Sequence, residues 1–119
     1  MTRTFIYLPQ FQKKWDELGL DEDDLRSLEE ELLLHPQKGD VMVGTNGLRK
    51  IRVAFPNQSK SESARVCYVD FVAYETIYMI TAYSKGEKSN LSNKERNNIA
   101  DVIKRLEAVL KSKNVDKMG

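Results

Sequence analysis

The chain has 119 residues, 40% hydrophobic and 31% charged, a length and balance that suit one globular domain with one core and exclude a fibrous or disordered polymer. No apolar run approaches the roughly 18 residues that span a bilayer, and the opening MTRTFIYLPQF lacks the apolar core and small-residue cleavage site of a leader, so a cytoplasmic protein without a membrane partner is expected. The net charge of +1 hides an asymmetry: residues 21–31, DEDDLRSLEEE, hold seven acids and one base, while residues 49–65 hold five bases and one acid.

Residues 3–8, RTFIYL, are aromatic and β-branched and predict a strand. Pro9 suits a first helical turn, with Phe11, Trp15 and Leu18 at helical spacing up to a stop at Gly19. Asp21 can cap a second helix whose acidic first turn complements the helix dipole; Leu25, Leu28, Leu32 and Leu33 form its apolar stripe, and Pro36 ends it. The two helices should form a hairpin that needs a sheet to cover it. In GDVMVGTNGLRKIRVA, residues 39–54, the glycines and Asn46 mark turns and the end alternates as a strand, with Lys50 and Arg52 on one face and Ile51 and Val53 on the other. FPNQSKSESA, residues 55–64, reads as a hairpin loop. Two strands follow, about 65–73 and 76–84, with a turn near Tyr74 and Glu75. Beyond the polar KGEKSN, Ser92 and Glu95 have capping-box spacing, and Ile99, Val102, Ile103, Leu106, Val109 and Leu110 form the stripe of a closing helix, with 112–119 expected to fray. The pattern predicts one α+β domain over 1–119 with its helices on one face of an antiparallel sheet.

Several chemistries are missing. There is no GxGxxG, GxxxxGK[ST], GxSxG or HExxH, which removes support for nucleotide-cofactor, P-loop, hydrolase-elbow and zincin readings. One cysteine and one histidine cannot form an internal disulfide or supply the ligands of a structural zinc site, so neither metal nor cofactor is expected. His35 reads as a partly buried helix-end residue, Cys67 as a quiet buried thiol and Trp15 as core. The acidic helix reads as a solvated face, or alternatively as a docking surface for a basic partner.

What remains is cationic. Lys50 and Arg52 lie on one strand, Arg65 on the next, and Lys85 and Lys88 at the exit of the last. Such a run is often only the solvated edge of a sheet; gathered in one shallow cleft, these groups could instead stabilise charge developing on a phosphodiester.

The run GDVMVGTNGLRKIRVA, the downstream SARVCYVDF and the block IYMITAYSKGEKSNLS resemble the HigB branch of the RelE/ParE toxin superfamily of bacterial toxin–antitoxin operons, over about residues 25–110. The resemblance implies a fold with an N-terminal helical hairpin packed on a small curved antiparallel sheet, and a C-terminal helix. It also implies a metal-independent endoribonuclease that enters the ribosomal A site, cuts messenger RNA there and is held in check by a helix-turn-helix antitoxin. Carried onto this sequence, Lys50, Arg52, Arg65 and Lys85 become candidate catalytic residues, and Arg49, Lys60, Tyr83 and Lys88 candidate RNA contacts, with Tyr83 placed to stack on a base or to fill the core or its rim. The chain departs from RelE in carrying Gly86 where RelE has an arginine, and Leu91 and Ser92 where RelE has a catalytic tyrosine. A ParE-like gyrase poison on the same fold is the competing function, although ParE-type chains generally lack the clustered basic strand positions. A third reading is an inactive member that only binds antitoxin.

Overall fold

The alternating and β-branched segments pair into one five-stranded sheet in the computed structural model, which describes residues 2–54 and 63–118. The elements are β1 (Thr4–Tyr7), α1 (Pro9–Glu17), α2 (Glu22–Leu34), β2 (Asp40–Val41), β3 (Arg49–Ala54), β4 (Ser63–Phe71), a 3-10 turn (Val72–Tyr74), β5 (Thr76–Ser84) and α3 (Asn93–Met118). Strand order is β1-β5-β4-β3-β2; β1 runs parallel to β5 and the other pairs are antiparallel. Local chemistry sets the boundaries. Pro9 opens α1. Asp21 and Asp24 exchange side-chain and backbone hydrogen bonds in a capping box at the start of α2. Ser92 and Glu95 do the same for α3. Gly44, Asn46 and Gly47 all adopt positive φ in the turn between β2 and β3, a conformation open mainly to Gly and Asn.

The helices do not share one face of the sheet, as the sequence pattern suggested. Phe11 and Trp15 of α1 and Leu28 and Leu32 of α2 pack with Ile51, Val66, Tyr68, Ile77 and Met79. Ile103 of α3, flanked by Ile99, Leu106 and Leu110, packs with Cys67, Val69, Phe71 and Ile80 on the opposite face. The reason lies in β4 and β5, SARVCYVDF and TIYMITAYS, which are buried along nearly their whole length on both sides. A strand with two apolar faces needs two covers.

Smaller expectations also change. Ser63 and Ala64, read as loop, are buried and belong to β4, paired with Ala54 and Val53; residues 55–62 lie outside the described residues. His35 is exposed at the end of α2, because Pro36 and not His35 turns inward. Val109 is also exposed, so the buried stripe of α3 is narrower than the sequence implied. Helix α3 runs to Met118.

Tyr68 fastens the segment after α2 to the sheet. Its hydroxyl donates to the Pro36 carbonyl and accepts from the Gly39 N–H, each at 2.9 Å. A Cβ on Gly39 would approach that hydroxyl to 3.0 Å, so glycine is required by the closeness of the two chains. Tyr68→Phe should therefore leave two backbone groups short of a partner and cost about 1–3 kcal/mol in urea unfolding.

Candidate nucleic-acid interface

Register gathers the cations. On β3, alternation sends Ile51 and Val53 into the helical hairpin and Lys50 and Arg52 to the other face. Arg52 stands directly opposite Arg65, and Arg65 directly opposite Tyr83, so the three form one row across β3, β4 and β5. Lys50 stands opposite Cys67 in the adjoining row. Facing positions in an antiparallel pair have Cβ atoms about 4.5–5.5 Å apart, and like charges there repel unless an anion lies between or over them.

Arg65 is one of two charges on the mostly apolar β4. Its Nη1 donates to Ser63 Oγ at 2.7 Å and to the Ala64 carbonyl at 3.5 Å. Among the described residues it has no carboxylate partner. The other charge of that strand, Asp70, is answered instead by Arg3, whose Nε and Nη2 reach the carboxylate at 2.8 and 3.3 Å. Arg65 is therefore the half-buried cation of the central sheet whose charge the described side chains leave uncompensated.

Tyr83 turns out to be core. It is 1% exposed, so its ring offers no open face to a base. Lys88 Nζ lies 5.4 Å from the ring centroid and is held by Glu95 Oε2 at 2.6 Å. Burial pushes the Tyr83 phenol up to about 12, against the pull of Arg65 and Arg96. Two buried polar atoms here, Tyr83 Oη and Arg96 Nε, have no hydrogen-bond partner among the described residues. Cys67 is fully buried and its thiol is pushed up to about 12 by desolvation, although the charges of Lys50 and Lys88 pull it down. That makes it a poor nucleophile.

The remaining candidates are dispersed. Lys85 follows β5 directly; its N–H closes onto the Ser63 carbonyl and the residue is exposed. Arg49 lies on the hairpin face, opposite Tyr68, with Nη1 on the Gln37 and Gly39 carbonyls at 3.0 and 2.7 Å, so the structure does not bring it to the Arg52–Arg65 row. Lys60 lies outside the described residues. Arg96 and Glu95 were not visible as site residues in the sequence: Glu95 showed only its capping spacing and Arg96 no motif, because both reach Tyr83 and Lys88 through the packing of α3.

A groove of about 450 Å³ runs beside Lys50 and Arg52, edged by Lys38 and Asp40. A larger cavity of about 700 Å³ lies near Arg3, Leu34 and Val72, but its cations are engaged, Arg3 with Asp70 and Lys38 with Glu31. No three His, Cys, Asp or Glu side chains converge as metal ligands among the described residues.

No family model matches the chain. Among solved structures, one similar to it is the E. coli toxin RelE, in the free state and carrying two arginine-to-alanine substitutions, with a TM-score of 0.50 and 17% sequence identity over 69% of this chain and 82% of that one. This likeness establishes a RelE-like fold.

The two largest upward shifts, at Cys67 and Tyr83, give a signed pH dependence. Cys67 and Tyr83 lose their protons near 9.0 and 10.0 ordinarily and near 12 in the folded protein. The folded state therefore binds more protons than the unfolded chain above pH 9, and the stability present below that pH is lost as pH rises towards 12. Chemical denaturation between pH 8 and 11 should show this decline, and Cys67→Ala combined with Tyr83→Phe should reduce it, leaving the share of Tyr68 and Tyr78, whose phenols burial also pushes up.

Proposed function

We propose that the chain is the toxin of a type II toxin–antitoxin pair, of the HigB branch of the RelE/ParE superfamily, acting in the cytoplasm as a ribosome-dependent endoribonuclease that cuts messenger RNA in the A site. The observation that carries this reading is Arg65, half-buried in the central strand without a carboxylate among the described residues and directly opposite Arg52. Arginines at directly opposed positions of two strands bring like charges near one another, which a bridging phosphate relieves, and a guanidinium can grip two phosphate oxygens at once. The RelE-like fold and the resemblance of GLRKIRVA and YSKGEKSNL to the branch support the same assignment.

In this reading the RNA backbone lies along the groove beside Lys50 and Arg52, with the scissile phosphate over Arg52 and Arg65. The 2′-oxygen forms a bond to phosphorus as it gives up its proton, the bond from phosphorus to the 5′-oxygen breaks, and that oxygen takes a proton. Lys50, Arg52 and Arg65 offset the negative charge that grows on the phosphate oxygens. Lys85, exposed at the exit of β5, completes the catalytic set, and Lys88 contacts the RNA beside it. Arg49 steers RNA from outside the central row, and Lys60 is a further RNA contact. The products are a 2′,3′-cyclic phosphate and a 5′-hydroxyl.

The test is a translation reaction with purified ribosomes and end-labelled message, read by primer extension and by analysis of the product ends. Arg65→Ala should slow cleavage at least a hundredfold, about 3 kcal/mol, while ribosome binding changes little. Lys60→Ala should mainly reduce the salt dependence. Message cut equally well by Arg65→Ala would remove the site from this row.

The same reading requires a partner, a helix-turn-helix antitoxin. Expressed alone, the chain should arrest growth with loss of protein synthesis, and co-expression of the antitoxin should restore growth. Arrest with intact message and inhibited gyrase would instead assign the chain to the ParE-like class.

A further inference from the structure

The carboxylate of Glu95 has two oxygens with separate partners. Oε1 accepts the Ser92 N–H at 2.9 Å and closes the cap of α3. Oε2 accepts from Lys88 Nζ at 2.6 Å. A capping box needs only the first. The second reaches back seven residues, into the loop that follows β5, and fixes an ammonium whose Nζ lies 5.4 Å from the ring centroid of Tyr83. Tyr83 in turn stands directly opposite Arg65. The chain of contacts thus runs from the first turn of α3 through Lys88 and Tyr83 to the cation in the middle of the sheet. Hydrogen bonds from Lys88 and Ser92 hold the Glu95 carboxyl below its ordinary range, so it remains an anion at neutral pH.

The geometry points to Glu95 as a positioning residue that holds Lys88 against Tyr83 and so sets the place of this ammonium beside the Arg52–Arg65 pair; this rests on the RNA-cleavage reading given above. A lysine on a loop otherwise carries several freely rotating bonds, and its charge is spread over the volume they sweep. Pinned by Glu95 and the aromatic ring, it presents its charge at one point. An acidic residue facing RNA is in itself unfavourable, so by charge alone its removal should improve RNA binding. Positioning predicts the reverse effect on rate.

Glu95→Gln separates the two roles, because its amide oxygen can still accept the Ser92 N–H while its NH2 group cannot accept from Lys88. In the full chain, NMR of the parent should show the Lys88 side-chain protons shifted upfield by the Tyr83 ring, and Glu95→Gln should abolish that shift while leaving the urea midpoint close to the parent. In the ribosome assay Glu95→Gln should lower kcat about tenfold with little change in KM, and should have no further effect in a Lys88→Ala background. Persistence of the upfield shift in Glu95→Gln would overturn the assignment, as would an equal loss of rate whether or not Lys88 is present. If the parent cuts no message, the functional reading fails, and the NMR comparison still decides whether Glu95 positions Lys88.

Discussion

The central strand β4 is buried on both faces, and this double burial organises the molecule. Ala64, Val66 and Tyr68 face the helical hairpin, while Cys67, Val69 and Phe71 face α3. Each apolar side chain removed from water contributes about 1.5–3 kcal/mol, so neither cover can be dispensed with. The same burial makes a charge on β4 costly unless something answers it. Asp70 is answered by Arg3 from the start of the chain, which ties β1 to the far end of β4. Among the described residues, Arg65 has only neutral oxygens. A fold tolerates such a group where solvent or a ligand answers its charge.

The two faces of the sheet divide the work. The hairpin face is mostly packing, with Trp15 fixed further by its indole N–H on the Asp21 carbonyl, and Arg49 spent on holding the backbone of residues 37–39. The opposite face is mixed. Helix α3 starts beside Tyr83, where Glu95 meets Lys88, and runs towards Tyr74, so that its apolar stripe covers Val69, Phe71 and Ile80. Lys50, Arg52 and Arg65 stand on the same face, outside that apolar cluster. One helix thus supplies the core of that face and, from its first turn, the groups that order its cationic edge.

Unsatisfied polar atoms occur on both faces of the sheet: Tyr7 Oη in the hairpin core, and two at the cationic edge. Tyr83 Oη and Arg96 Nε are buried without hydrogen-bond partners among the described residues, and desolvation displaces upward both the Tyr83 phenol itself and the Cys67 thiol. Orphaned groups of this kind are few in folded proteins, and each costs stability.

The sequence by itself determined the elements and their ends, because these depend on neighbours within a few residues: Pro9 starts α1, the Asp21 and Ser92 caps start α2 and α3, Gly44, Asn46 and Gly47 make the turn, and the alternation of LRKIRVA puts Lys50 and Arg52 on one side. It also separated the acidic helix from the basic strands. What only the tertiary structure decided is which side each element covers and which cations meet. The apolar runs of β4 and β5 carry no alternation that says whether one face or both are buried, so α3 was assigned to the wrong face. Ser63 and Ala64 looked like loop because their burial comes from pairing with β3, and Arg49 looked like its neighbours until register set it opposite Tyr68. Glu95 and Lys88 are joined across a loop with no periodicity, so that contact exists only once α3 has docked: short-range propensity writes the elements, and long-range burial chooses their partners.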